Sequence, residues 1–198
     1  MIQRIFALLT ALLALSALTG CGYNDFQRLD EQSKAAWSEV LNQYQRRADL
    51  VPNIVATVKG EANFEQETLT RVVEARAKAT SIQVTPETLN NPEAFNKFQQ
   101  AQGELSGALS RLLVVTENYP NLKANESVKK LMEELAHTEN QIGFARQFYN
   151  DVVTKFNTAQ QVFPTNLFAS MLGFTPSELW ELPADSAERQ TPKVNLAV

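Results

Sequence analysis

Residues 125–163 read NESVKKLMEELAHTENQIGFARQFYNDVVTKFNTAQQVF, and their spacing decides the fold class. Val128, Leu131, Leu135, Thr138, Ile142, Ala145, Tyr149, Val152, Phe156, Ala159 and Phe163 recur at alternating steps of three and four over five heptads. That period puts one stripe on a helix and predicts coiled-coil-like packing against a long partner. At about 1.5 Å per residue, a helix over 125–160 is a rod of about 54 Å. A rod of that length buries its stripe only against a comparably long neighbour.

The neighbour is found upstream. Residues 24–60 carry Phe26, Leu29, Trp37, Val40, Tyr44, Val51, Ile54 and Val58 at helical spacing, with Pro52 predicting a kink or short break. A shorter helix is read over 64–80, with Leu69, Val72, Val73 and Ala79 inward. Pro86 and Asn90-Asn91-Pro92 make 81–92 a loop. A third helix follows over 93–118, with Phe95, Phe98, Leu105, Leu109 and Leu112 inward, until Pro120 stops it. The fold class is therefore all-α, a bundle of four helices over residues 21–180. Residues 167–174 are read as a cap on one end, and the polar, proline-punctuated stretch at 181–198 as a disordered tail.

At 198 residues and 44% hydrophobic, the chain suits one domain with a sizeable core. Its formal net charge is −4, and it becomes −5 without Arg4, the only charged residue before Cys21. No basic block stands out, which argues against nucleic acid as a partner. Cys21 is the sole cysteine, so an internal disulfide and a cysteine-based zinc site are both excluded.

The first twenty residues read as a leader: Arg4 is the charged start, and Ile5 to Leu18 form an apolar run shorter than the roughly 20 residues that span a bilayer. Leu18-Thr19-Gly20-Cys21 resembles the bacterial lipobox, which predicts cleavage before Cys21, a diacylglyceryl group on its sulfur and a fatty acyl chain such as palmitate on its amino group. Two or more acyl chains give stable anchoring where one gives only reversible binding. Gly22 follows instead of an Asp, which favours the outer membrane facing the periplasm if the envelope is Gram-negative. The alternative is an uncleaved N-terminal transmembrane anchor with the bundle outside the cytoplasm.

Ala36-Trp37-Ser38, the run from Arg46 to Val55, Val58-Lys59-Gly60, Ala75-Arg76, Leu105 to Leu109, Glu117 to Asn125, Thr138-Glu139-Asn140, Phe156-Asn157-Thr158 and Phe163 to Asn166 occur in one order that resembles the LemA family. The likeness spans roughly 23–180. It implies an antiparallel four-helix bundle, exposed outside the cytoplasm and tethered near its N-terminus, with no established enzymatic reaction. Many members look as if they keep an N-terminal transmembrane helix, and the lipobox departs from that pattern.

Among candidate site residues, Arg47 and Arg76 fall on apolar rows, where a guanidinium is drawn out of water and needs a partner. Glu117, Glu139 and Asp49 are the carboxylates read as partners, with Asn53, Asn140, Tyr149 and Asn150 closing a network. Such a network either fixes helix register or forms a polar pocket for a ligand. His137, the only histidine, has no second ligand for a metal and is read as structural. No hydrolase, zinc-protease or phosphate-binding motif is present, so neither catalysis nor a cofactor is expected. The function expected is a non-catalytic scaffold with an envelope protein as partner, and the alternative is a ligand-binding accessory protein using the polar pocket.

Overall fold

The computed structural model describes residues 2–60, 64–163, 165–169 and 171–181. The side chain of Cys21 and the stretch 182–198, read from sequence as most of a tail, lie outside the described residues. All regular structure among the described residues is helical: α1 (Ile2–Lys59), α2 (Gln66–Ser81), a 3-10 turn (Pro86–Asn90), α3 (Pro92–Thr116), α4 (Pro120–Ala124), α5 (Glu126–Gln161) and α6 (Asn166–Ala169). Two short helices thus join the four long ones that periodicity predicts. No helix of the described residues is long and apolar enough to cross a membrane.

α1 starts far upstream of residue 24, because Ala and Leu dominate 5–18 and both are strong helix formers. Its buried positions Ser33, Trp37, Val40, Tyr44, Arg47, Val51, Ile54 and Val58 step by three and four, as do Leu135, Thr138, Ile142, Ala145, Tyr149, Val152 and Phe156 on α5. The two stripes meet antiparallel, with Phe26 against Phe156, Trp37 against Tyr149 and Arg47 against Glu139. α2 and α3 also run antiparallel, tied by Lys78 to Glu104 and by Glu65 to Arg111, and α2 packs on α1.

Local chemistry sets the starts of the helices. Asn91 accepts from the backbone N–H groups of Glu93 and Ala94, with Pro92 in the first turn of α3. Asn125 does the same for Ser127 and Val128 at the start of α5.

Two residues of the predicted apolar rows lie outside the core. Val73 is exposed, because it sits one residue beyond Val72 and faces away from the α1–α3 contact. Phe163 continues the heptad by count, but α5 ends at Gln161 and Phe163 projects outward.

α1 runs through Pro52 without a break. Proline has no N–H for the carbonyl four residues back, so Ala48 loses its intrahelical partner. Arg76 of α2 takes that place, its Nε donating to the Ala48 oxygen at 2.7 Å. Arg76→Ala is expected to cost roughly 1–2 kcal/mol as a half-buried bond from a charged donor. In a Pro52→Ala background the loss should shrink to a few tenths, because an alanine at that position supplies the missing N–H. A double-mutant cycle of urea melts measures the difference, and a coupling near zero would break the link.

The core divides along the rod. One end is aliphatic, built on Val51, Ile54, Val58, Leu105, Leu109, Leu112 and Leu135. The middle is aromatic, where Trp37, Tyr44, Phe95, Phe98, Tyr149 and Trp180 interlock. Phe26, Phe156 and Ala169 close the other end, with Phe174 stacked on Phe26 at 5.1 Å. The expected cap thus rests on Ala169 and Phe174.

Candidate functional site

Arg47 lies where the aliphatic and aromatic parts of the core meet, and it is 0% exposed. It holds a heptad position on α1, between Tyr44 and Val51, where the pattern calls for an apolar side chain. Two helices supply its acceptors. From α3, Ser106 Oγ accepts from Nη1, while the Gln102 Oε1 (2.6 Å) and backbone oxygen (3.1 Å) accept from Nη2. From α5, Glu139 Oε1 accepts from Nη1 at 2.9 Å. The guanidinium carbon also lies 4.9 Å from the centre of the Tyr44 ring on α1 itself. Arg47 Nε has no partner among the described residues. Buried Thr138 bonds the carbonyl of Glu134 and completes a polar layer across the helices.

Arg146 extends this layer toward the aromatic part. Its Nε donates to Tyr44 Oη at 2.7 Å, and its guanidinium lies 4.8 Å from the Trp180 ring centre. Burial pushes the Tyr44 hydroxyl up to about 12, against the opposing pull of Arg146 and Arg47. Burial likewise raises the Tyr149 hydroxyl, with Glu178 adding to the shift. Because the folded state holds these protons more tightly, their stabilisation is complete below pH 10 and disappears as pH climbs through the folded value. Tyr44 alone is expected to cost roughly 2–3 kcal/mol between about pH 10 and pH 12. Urea melts across that window should show a falling midpoint, with a shallower fall in Tyr44→Phe.

A strap of chain, residues 174–181, lies along α5 and closes the aromatic part. Asn150 exchanges two hydrogen bonds with the backbone of Trp180, and Asn157, one heptad further on, does the same with Ser177. Tyr149 Oη donates to the Glu178 carbonyl at 2.6 Å, and the Glu178 N–H reaches the Leu89 carbonyl at 2.9 Å. Gln99 Nε2 donates to the Glu181 carbonyl. The strap thus has its backbone satisfied by side chains of α3 and α5 and by the turn between α2 and α3.

The structure divides the residues predicted as one network. Arg47 and Glu139 meet directly, while Tyr149 and Asn150 hold the strap. Arg76 serves the Ala48 carbonyl and stands apart. Asn53, Glu117 and Asn140 are exposed and join neither group, and exposed Asp49 accepts from Gln45 instead of an arginine. Side-chain placement explains the division: Asn53 is the residue before inward Ile54, and Glu117 lies beyond the end of α3. Gln102, Ser106, Arg146, Asn157 and Trp180 were missing from the prediction. For Asn157 a signal existed, since it lies seven residues after Asn150 on the same face of α5. His137 is exposed, and no cluster of metal-ligating side chains occurs among the described residues.

Arg47 itself is enclosed: a depression of about 550 Å³ beside Lys78, Asn91 and Lys97 and one of about 250 Å³ beside Leu41, Gln45 and Thr80 open on the surface, and the second reaches Tyr44 and Gln102 of the layer, but Arg47 lines neither. Both terminal nitrogens of Arg47 are engaged within the protein.

The family model for LemA matches residues 36–196, a span that contains every residue of the polar layer and the whole strap. The chain belongs to the LemA family. LemA relatives include magnetosome protein MamQ 2 of Paramagnetospirillum magneticum, 26% identical over 189 residues, covering 87% of this chain and 70% of the relative. Protein LemA of Metamycoplasma hominis is 26% identical over 171 residues, covering 83% of this chain and 74% of its own length. Magnetosome protein MamQ of Magnetospirillum gryphiswaldense is 25% identical over 189 residues, covering 87% and 70%. Within the LemA match lie Pro52 and Arg76 as well, so the proline-carbonyl repair belongs to the same region.

Proposed function

We propose that this LemA-family chain is a lipoprotein of the cell envelope, tethered through Cys21, whose antiparallel four-helix bundle serves as a non-catalytic scaffold for an envelope protein partner. One observation carries the scaffold reading. Phe144 and Phe148, one turn apart on α5, are 67% and 58% exposed on the side away from the Arg47 layer. Two aromatic side chains in one turn of solvent-facing helix are a feature of contact surfaces. The engaged terminal nitrogens of Arg47 weigh against the alternative of a ligand-binding accessory protein, which needs an open polar pocket. The leader, the lipobox and family membership support the tether and a location outside the cytoplasm.

Cys21→Ser is expected to abolish lipid labelling and leave the unprocessed precursor, because the sulfur accepts the lipid on which cleavage depends. Normal processing and lipid labelling of that variant would remove the lipoprotein reading. Crosslinking in intact cells tests the scaffold. A reproducible protein adduct is expected with wild type and not with Phe144→Ser/Phe148→Ser, and an unchanged adduct would move the contact elsewhere.

A further inference from the structure

We propose that the segment 162–174 is a membrane-docking tip, which inserts its exposed apolar side chains into the interfacial region of the bilayer to which the chain is tethered. This inference rests on the tether proposed above. Three observations meet at one end of the rod. The first is exposure: Val162 (49%), Phe163 (79%), Leu167 (61%), Met171 (73%) and Leu172 (41%) are open within one short turn-and-helix segment. Single exposed apolar residues are ordinary, but a contiguous group of large ones marks an interaction surface.

The second is charge. From Phe156 to Ser177 the sequence has no charged residue, although 20% of the whole chain is charged, and Lys155 and Glu178 bound the gap. A segment that enters the boundary between headgroups and acyl chains must avoid taking ions out of water. Asn166 and Thr165 supply polarity without charge, which that boundary tolerates.

The third is position. Thr165 Oγ1 bonds the carbonyls of Ala159 and Val162, and the Phe174 N–H bonds the Ala169 carbonyl, so the segment folds back on the end of α5. Buried Ala169 and partly buried Phe174 pin it to Phe26, the first buried side chain among those described on α1. The apolar run of α1 ends at Leu18, eight residues before Phe26, or about 12 Å along a helix. The apolar leader, the lipidation cysteine and the uncharged tip therefore leave the folded domain at the same end. A tether there holds the tip within about a nanometre of the bilayer, which turns weak apolar contacts into an intramolecular event at high effective concentration. The tip then sets the tilt of the rod, and the aliphatic end points away from the membrane.

Photocrosslinking in the membranes of expressing cells tests this with the full chain. Benzoylphenylalanine is placed singly at Phe163, at Leu167 and, as the control, at Val114. Val114 is 65% exposed and apolar but lies near the end of α3, at the opposite end of the rod. Lipid adducts detected by mass spectrometry are expected at 163 and 167 in yields about tenfold above those at 114. In a second arm, Leu167→Gln/Met171→Gln should lower the adduct yield at 163 while the chain stays in the membrane fraction. A membrane-bound chain whose probes at 163 and 167 give no lipid adduct, or only adducts to a protein or to a second copy, overturns the docking tip and leaves the tether standing. A chain recovered in the soluble fraction overturns the tether and the tip together.

Discussion

Ile142→Asp is expected to unfold the domain or remove most of its stability, while Lys155→Ala leaves it nearly unchanged. Ile142 is 1% exposed and packs in the aromatic part of the core among Trp37, Val40 and Tyr149. Arg146, the cation beside that cluster, is already engaged with Tyr44 and Trp180, so a carboxylate at 142 that fails to draw it away stays unpaired or takes up a proton, and either costs several kcal/mol. The lost apolar contacts add a few more. Set against a whole-domain stability of about 5–15 kcal/mol, the sum leaves little. Lys155 is exposed on the same helix and makes no ion pair among those described, so its truncation should fall within about 0.5 kcal/mol. Thermal melts followed by circular dichroism decide the matter. Equal melting temperatures for the two variants would mean that the stripe on α5 is not the buried face.

Arg47→Ala is expected to cost about 3 kcal/mol or somewhat more, the low end of the range for breaking a buried ion pair from one side. The figure sits at the low end because Glu139 keeps 34% of its side chain in water and can turn outward once the guanidinium is gone. What remains is the space left by a large, fully buried side chain and the stranded oxygens of Gln102, which is 5% exposed. Arg47→Met separates these terms: it fills most of the volume without the charge, so it should recover about half of the loss. Denaturant melts of both variants give the comparison. An Arg47→Ala loss below about 1 kcal/mol, the scale of an exposed ion pair, would show that the layer does not hold the helices together. Arg76→Ala is the internal control, since its single bond to a carbonyl predicts a smaller loss than that of Arg47.

The layer around Arg47 also has a directional consequence. Apolar heptads on α1 and α5 would tolerate a slip by one heptad with little loss of contact, because each stripe presents similar groups every seven residues. A cation that finds its acceptors only at Gln102, Ser106 and Glu139 removes that freedom. This gives a physical reason for a charge at a heptad position of α1, where an aliphatic residue would pack more simply.

Sequence alone determined the elements that depend on local periodicity and local caps. The heptads of α5, its long partner α1, and the starts of α3 and α5 at Asn91-Pro92 and Asn125 are all written within short windows, because helix faces and caps follow from neighbours a few residues apart. The burial of Arg47 was legible too, since it occupies a position where every third or fourth neighbour is apolar. Tertiary structure alone decided which polar residues meet. Gln102 and Ser106 reach Arg47 from α3, and Arg76 finds the Ala48 carbonyl 28 residues away in sequence. The strap at 174–181 has no periodicity to read, and its order comes from Asn150 and Asn157 gripping its backbone. Asn53, Glu117 and Asn140 share motifs with the buried residues yet face water. Hydrogen-bond partners are fixed by how helices pack and rotate against one another, and that geometry exists only once the apolar stripes have met.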